Sequence, residues 1–199
     1  MSAPLVLVTG FGPFPGVPVN PSREVARLLE AAPPEGVRVR ARELPVSFQG
    51  TPKALRDAVA GGEAPSALLS MGVQREAGFL LERRARGRYD TERVDNDGVS
   101  AAGLELVLGQ DRASDLDLES LAKCLREAGA ADVRLSDDAG GYVCEITNHT
   151  LLGEGQRLGV PALFLHIPPS EVLSPEAQKP LIGALVQALA RTRRGSASA

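Results

Sequence analysis

Cys144 follows Asp138-Ala139-Gly140-Gly141-Tyr142-Val143, and a second nucleophilic or basic group, His166, closes the apolar run Leu163-Phe164-Leu165. A Gly-Gly turn before a cysteine predicts a helix start at the cysteine. The backbone N–H groups of such a tip are unpaired and carry partial positive charge. That charge favours a thiolate over a thiol and can also receive an oxyanion. A cysteine on a helix tip and a histidine at a strand end are the parts of a cysteine hydrolase. Acyl transfer by sulfur needs a thiolate, an acid–base group for the leaving amine and donors for the oxyanion.

The chain has two histidines and two cysteines. His149 lies five residues beyond Cys144, about 140° around a helix axis and on another face. It reads as a surface or packing histidine, and His166 reads as the base. A strand end is where open α/β sheets keep their ligand crevice, although a buried histidine satisfied by backbone is the alternative for His166. A third group should orient that imidazole. Glu82, in Leu80-Leu81-Glu82-Arg83-Arg84, is the candidate; the plain alternative is a solvated face of Arg–Glu ion pairs. Cys124 sits within an amphipathic pattern beside Lys123 and reads as an inert packing thiol. Two such distant histidines, with no H-E-x-x-H pattern, make poor metal ligands, so a metallohydrolase is disfavoured.

Those residues need elements to hold them. Leu5 to Thr9 reads as a buried strand, followed by a loop rich in Gly, Pro and Phe over residues 10–19. Asn20-Pro21 predicts a helix start, with Asn20 as cap. Val37 to Leu44 alternates as a half-exposed or edge strand. Thr51-Pro52 opens a second helix, Ala67 to Gly72 is another buried strand, and Phe79 to Arg86 alternates again. Asp90 to Gln110 reads as loop with short strands. A helix around Leu118–Leu125, a short strand at Val133–Leu135, the Cys144 helix, a strand at Ala162–Ile167 and a helix over Pro175–Arg191 follow. Strands alternating with helices predict an α/β fold: one open, mostly parallel twisted sheet with helices on both faces. Residues 1–193 are expected to form a single catalytic domain, and 194–199 a disordered tail.

Bulk properties narrow the function. The 199 residues are 43% hydrophobic, enough for one sizeable core. A formal net charge of −3, 4% aromatics and no tryptophan argue against nucleic acid as partner. The N-terminal apolar run is too short for a leader or a membrane span and lacks a basic stretch before it. A soluble protein of the reducing cytoplasm, with no membrane partner, is the expectation. Gly10-Phe11-Gly12 between a strand and a helix raises a nucleotide-binding alternative. The glycine spacing does not fit G-x-G-x-x-G, however, and three prolines remove N–H donors from the turn.

Several segments, in order along most of the chain, resemble the pyroglutamyl peptidase I family of cysteine peptidases, also called pyrrolidone-carboxylate peptidases. They are Thr9-Gly10-Phe11-Gly12-Pro13-Phe14 with Val19-Asn20-Pro21-Ser22, then Leu44-Pro45-Val46, Leu81-Glu82-Arg83, Ala139-Gly140-Gly141-Tyr142-Val143-Cys144 and Phe164-Leu165-His166-Ile167-Pro168. The resemblance implies removal of an N-terminal pyroglutamyl residue from peptides by a Cys-His-Glu triad without metal or cofactor. It assigns Cys144 as nucleophile, His166 as base and acid, and Glu82 as orienter. It places Phe11 and Phe14 on the lactam ring, with Asn20 and Val143 completing the substrate-binding set, and Arg93 with Cys144 in the oxyanion region. A flat, uncharged ring suits an apolar aromatic slot. Many members carry Gly-Gln-Ala-Gly-Gly where this chain has Gly72-Val73-Gln74-Arg75-Glu76, and Asn where it has Glu145. That acid should suit the helix dipole yet oppose a thiolate. The short segment 98–115 does not carry over the bacterial members' subunit contacts, which leaves a homo-oligomer open. A silent relative that binds pyroglutamyl peptides without cleaving them is the alternative function.

Overall fold

The computed structural model describes residues 2–88, 91–101 and 109–192. Among these residues one sheet is formed by six strands, β1 (Leu5–Phe11), β2 (Arg38–Leu44), β3 (Ala67–Val73), β4 (Phe79–Glu82), β7 (Val133–Ser136) and β8 (Ala162–Ile167). Their order is β2-β1-β3-β8-β4-β7. β2, β1, β3 and β8 run parallel, whereas β4 lies antiparallel to β8 and parallel to β7. A separate two-stranded ribbon pairs β5 (Arg84–Ala85) with β6 (Arg112–Ala113).

The five helices among the described residues cover both faces. Helices α1 (Pro21–Ala31), α3 (Leu118–Glu127) and α5 (Pro175–Arg191) bury Val25, Leu29, Leu121, Leu125, Ile182 and Leu185 on one face. Helices α2 (Gly50–Ala60) and α4 (Val143–Leu158) bury Leu55, Val59, Ile146 and Leu151 on the other. Strands covered on both sides become continuous apolar runs, which is why β1, β3 and β8 are buried along nearly their whole length. The expected open, mostly parallel sheet with helices on both faces is the architecture found.

The local expectations hold with a few shifts. Asn20 caps α1, its Oδ1 accepting from the Ser22 N–H at 3.1 Å. β2 is an edge strand, and β8 and α5 have the expected limits. β1 runs two residues beyond Thr9, so Phe11 is the last strand residue rather than part of the loop. The alternation over Phe79–Arg86 is split: β4 stops at Glu82, and the chain turns into the ribbon at Arg84. Phe79 and Leu81 enter the core under α3, which leaves Leu80 and Glu82 on the α4 side. Within the Asp90–Gln110 stretch, Asp90 and residues 102–108 lie outside the described residues, as does the 194–199 tail.

Candidate active site

The carboxyl ends of β1, β3 and β8 converge with the tip of α4 on a cleft of about 620 Å³. This is the crevice position of open α/β sheets. Its walls include Phe11, Phe14, Asn20, Leu80, Arg93, Tyr142, Val143, Cys144 and His166.

Cys144 occupies the second position of α4. The chain reaches it through Gly140 and Gly141, whose φ angles of 87° and 63° lie in the left-handed region that glycine enters without a Cβ penalty. Tyr142 at the N-cap offers no side-chain acceptor to the helix start. The N–H of Glu145 bonds the Tyr142 carbonyl at 2.9 Å. The N–H groups of Val143 and Cys144 have no acceptor among the described residues. Two oriented donors beside a sulfur are what an oxyanion requires.

His166 is the fifth residue of β8 and 7% exposed. Gly72 flanks it on β3 and Leu80 on β4. Its Nδ1 lies 2.7 Å from Glu82 Oε1. The ring also packs edge-on against Phe164, with centroids 5.1 Å apart. The Cys144 sulfur lines the same cleft, and it and the ring's Cδ2 lie 2.9 Å and 3.3 Å from one point, the place a side chain on Gly72 would take. Burial alone would strip His166 of its proton. Cys144, followed by Glu82, overcomes that and pushes the pKa up to about 10. His166 is thereby held toward its protonated form between Cys144 and Glu82.

Glu82 is fully buried, and its Oε2 has no partner among the described residues. The solvated-face alternative therefore fails for Glu82 but describes its neighbour, because Arg83 is half exposed and ion-paired with Asp137. Among the described residues no cluster of His, Cys, Asp or Glu could hold a metal ion.

The other expected site residues divide by what their side chains already do. Phe11 is 4% exposed and belongs to the core cluster under α2 and α4 as well as to the cleft wall. Phe14 is half-buried in the β1–α1 loop, where its backbone pairs with Val17. Val143 is buried at the cleft edge. Asn20 lines the cleft, but both ends of its amide are engaged, Oδ1 with Ser22 and Nδ2 with the Gly12 carbonyl at 3.0 Å. It shapes the first loop from within. Arg93 also lines the cleft, with its guanidinium 4.1 Å from the centre of the Tyr142 ring.

Three supporting groups escaped the sequence reading. Tyr142 donates its hydroxyl to the Val94 carbonyl at 2.9 Å and meets Phe48 edge-on. Asn96 joins this segment to the first loop, donating from Nδ2 to the Pro13 carbonyl at 2.9 Å. Arg86 neutralises Glu145: its guanidinium contacts Oε2 at 2.9 Å and 3.1 Å, and its backbone N–H donates to Oε1 at 2.6 Å. The acid expected to oppose a thiolate at Cys144 is thus half of an ion pair. Glu145 also receives the Gly141 N–H at 3.3 Å and so ties down the turn before the cysteine. An acid at the third helical position reaching back over the tip is a familiar capping device, which could have pointed to that bond. Nothing local pointed to Arg86.

An open α/β sheet that brings a cysteine at a helix tip, a histidine and a buried glutamate to one crevice carries the side chains a cysteine peptidase needs. Comparison with known proteins narrows the class. The family model described as pyroglutamyl peptidase matches residues 5–187. The pyrrolidone-carboxylate peptidase of Streptomyces coelicolor is 34% identical over 185 residues, covering 89% of this chain and 83% of that protein. The Escherichia fergusonii protein of the same name is 34% identical over 173 residues, covering 82% and 77%. Among solved structures, pyroglutamyl peptidase I of Bacillus amyloliquefaciens superposes with a TM-score of 0.84 at 23% identity, over 95% of this chain and 98% of that one. Pyrrolidone carboxyl peptidase from Thermococcus litoralis gives 0.80 at 24%, over 94% and 93%. The chain belongs to the pyroglutamyl peptidase family.

Proposed function

We propose that this protein is a working pyroglutamyl peptidase, releasing N-terminal pyroglutamate from peptides with Cys144 as nucleophile, His166 as acid and base, and Glu82 as orienter. The observation that carries the reading is the placing of the His166 ring: its Nδ1 lies 2.7 Å from the buried Glu82 carboxyl oxygen, and the Cys144 sulfur faces the same spot beside Gly72 in the cleft. The Cys144 thiolate attacks the pyroglutamyl carbonyl carbon. The developing oxyanion is received by the Val143 and Cys144 N–H groups. His166 gives its proton to the leaving amine as the C–N bond breaks, and a thioester remains. Water then attacks the thioester, His166 takes the proton, and pyroglutamate leaves as the thiolate is restored. Phe11 and Phe14 on the cleft wall offer the apolar surface that a neutral lactam needs. Arg93 is proposed to fix Tyr142, and through it the oxyanion side of the cleft. Asn20 is proposed to act on substrate only by holding the first loop.

No helix among the described residues is long and apolar enough to cross a membrane. We assign the protein to the cytoplasm, where its free thiols, Cys124 and Cys144, stay reduced. Residues 1–193 are proposed to act as one catalytic domain.

Turnover of a fluorogenic pyroglutamyl amide tests the reading. Wild type should cleave it and Cys144→Ala should not. The value of kcat/KM should rise with pH as the thiolate–imidazolium pair forms and fall as His166 loses its proton toward about 10. Equal inactivity of both proteins, with binding retained, would instead establish the silent relative.

A further inference from the structure

We propose that Gly72 is a positioning residue for the reaction: its missing side chain is the socket in β3 that lets the Cys144 sulfur descend onto His166. The inference rests on the Cys144–His166 pair proposed above. The β3–β8 register sets Gly72 directly beside His166. A methyl group on Gly72 would lie 2.9 Å from Cys144 Sγ, 3.1 Å from Phe164 Cζ and 3.3 Å from His166 Cδ2. The first distance is closer than a side-chain carbon tolerates.

The backbone does not ask for glycine at this point, since Gly72 is not among the glycines with positive φ. Glycine inside a strand weakens it, and where it persists it marks a close approach. Of the three groups around the socket, two cannot yield. Phe164 is fully buried in the core, and His166 is held by Glu82. The sulfur alone can swing, by rotation about its own Cα–Cβ bond, and that rotation carries it off the imidazole. A displacement of about 1 Å at a reacting atom can cost on the order of 10²-fold in rate.

The test is Gly72→Ala, made in a Cys124→Ser background so that only one thiol reports. Turnover of a pyroglutamyl amide should lose at least about 10²-fold in kcat, with KM within about threefold. Alkylation by iodoacetamide should proceed at low pH in the parent, as expected of a thiolate–imidazolium pair. In Gly72→Ala it should follow an ordinary thiol titrating near about 8.5. A thermal cycle checks the contact without using activity: the loss of Tm caused by Gly72→Ala should be smaller when Cys144 is already alanine. A Gly72→Ala protein with the parent's kcat and alkylation profile, or an equal loss of Tm in both backgrounds, would overturn the role of Gly72 while leaving the pair intact. A parent protein without low-pH alkylation would overturn the pair itself, and the role of Gly72 with it.

Discussion

Helix α4 carries two potentially reactive groups, Cys144 at its tip and His149 five residues on, and their surroundings differ in each respect that controls proton transfer. The tip looks into the substrate-sized cleft, next to unpaired backbone donors and an imidazole that rests on a carboxylate. The middle of the helix faces a second hollow of about 520 Å³, lined by Arg56, Arg112, His149 and Glu154. There His149 is tied to the Gln110 carbonyl at 3.0 Å, and burial outweighs that bond to pull its pKa down, so it stays neutral. His166 is about as buried yet is driven the other way by its anionic neighbours. The cysteines repeat the contrast. Burial, with Glu127 nearby, raises the Cys124 pKa inside α3, whereas Cys144 shares its cleft with the His166 imidazole. Burial alone silences an ionisable group; burial with a matched counter-charge makes it reactive.

The sharpest way to break this contrast is to remove one sulfur at a time. Cys144→Ala should lower kcat by on the order of 10⁴-fold or more, and Cys124→Ser should stay within about twofold. Loss of activity in a folded Cys124→Ser protein would undo the assignment. Next in size is the buried ion pair behind the tip. Arg86→Ala strands a fully buried carboxylate, and urea unfolding should show a loss of about 3–5 kcal/mol. Adding Glu145→Gln should restore most of it. An Arg86→Ala protein of unchanged stability would mean that Glu145 needs no counter-ion.

Glu82→Gln keeps the shape of the site but removes the charge behind His166. Its kcat should fall about 10²-fold with little change in KM, and steady-state kinetics over a range of substrate concentrations would show the split. The smallest effect belongs to the other hollow. His149→Gln should leave kcat/KM within about twofold, and a larger loss would tie the two sides of α4 together.

The parts that were legible in the sequence are those that local rules decide. Asn20-Pro21 marked a helix start because cap and first turn are adjacent in the chain. The unbroken apolar run Ala162–Ile167 marked a strand buried on both faces, and its last residues carried the histidine to the crevice. The Gly-Gly turn placed Cys144 on a helix tip for the same local reason. Glu82 was only half legible. Its neighbours Arg83 and Arg84 look like a solvated surface, and only the pairing of Leu80 with His166 on β8 shows that the acid points inward. Arg86 with Glu145 and Gly72 with Cys144 were not legible at all. They are contacts between residues distant in the chain, fixed by strand register and by the docking of α4. The expectation that Glu145 would oppose the thiolate followed from its position alone and ended when its partner came into view.

The central claim is that His166 is a protonated partner of a thiolate at neutral pH. An NMR titration of its ring in wild type and in Cys144→Ala tests it most directly. With the sulfur present, the His166 signal should keep its protonated shift through neutral pH and change only toward about 10. Without the sulfur, the midpoint should move down, since burial then opposes the charge against Glu82 alone. One midpoint near the ordinary 6.5 in both proteins would contradict the account.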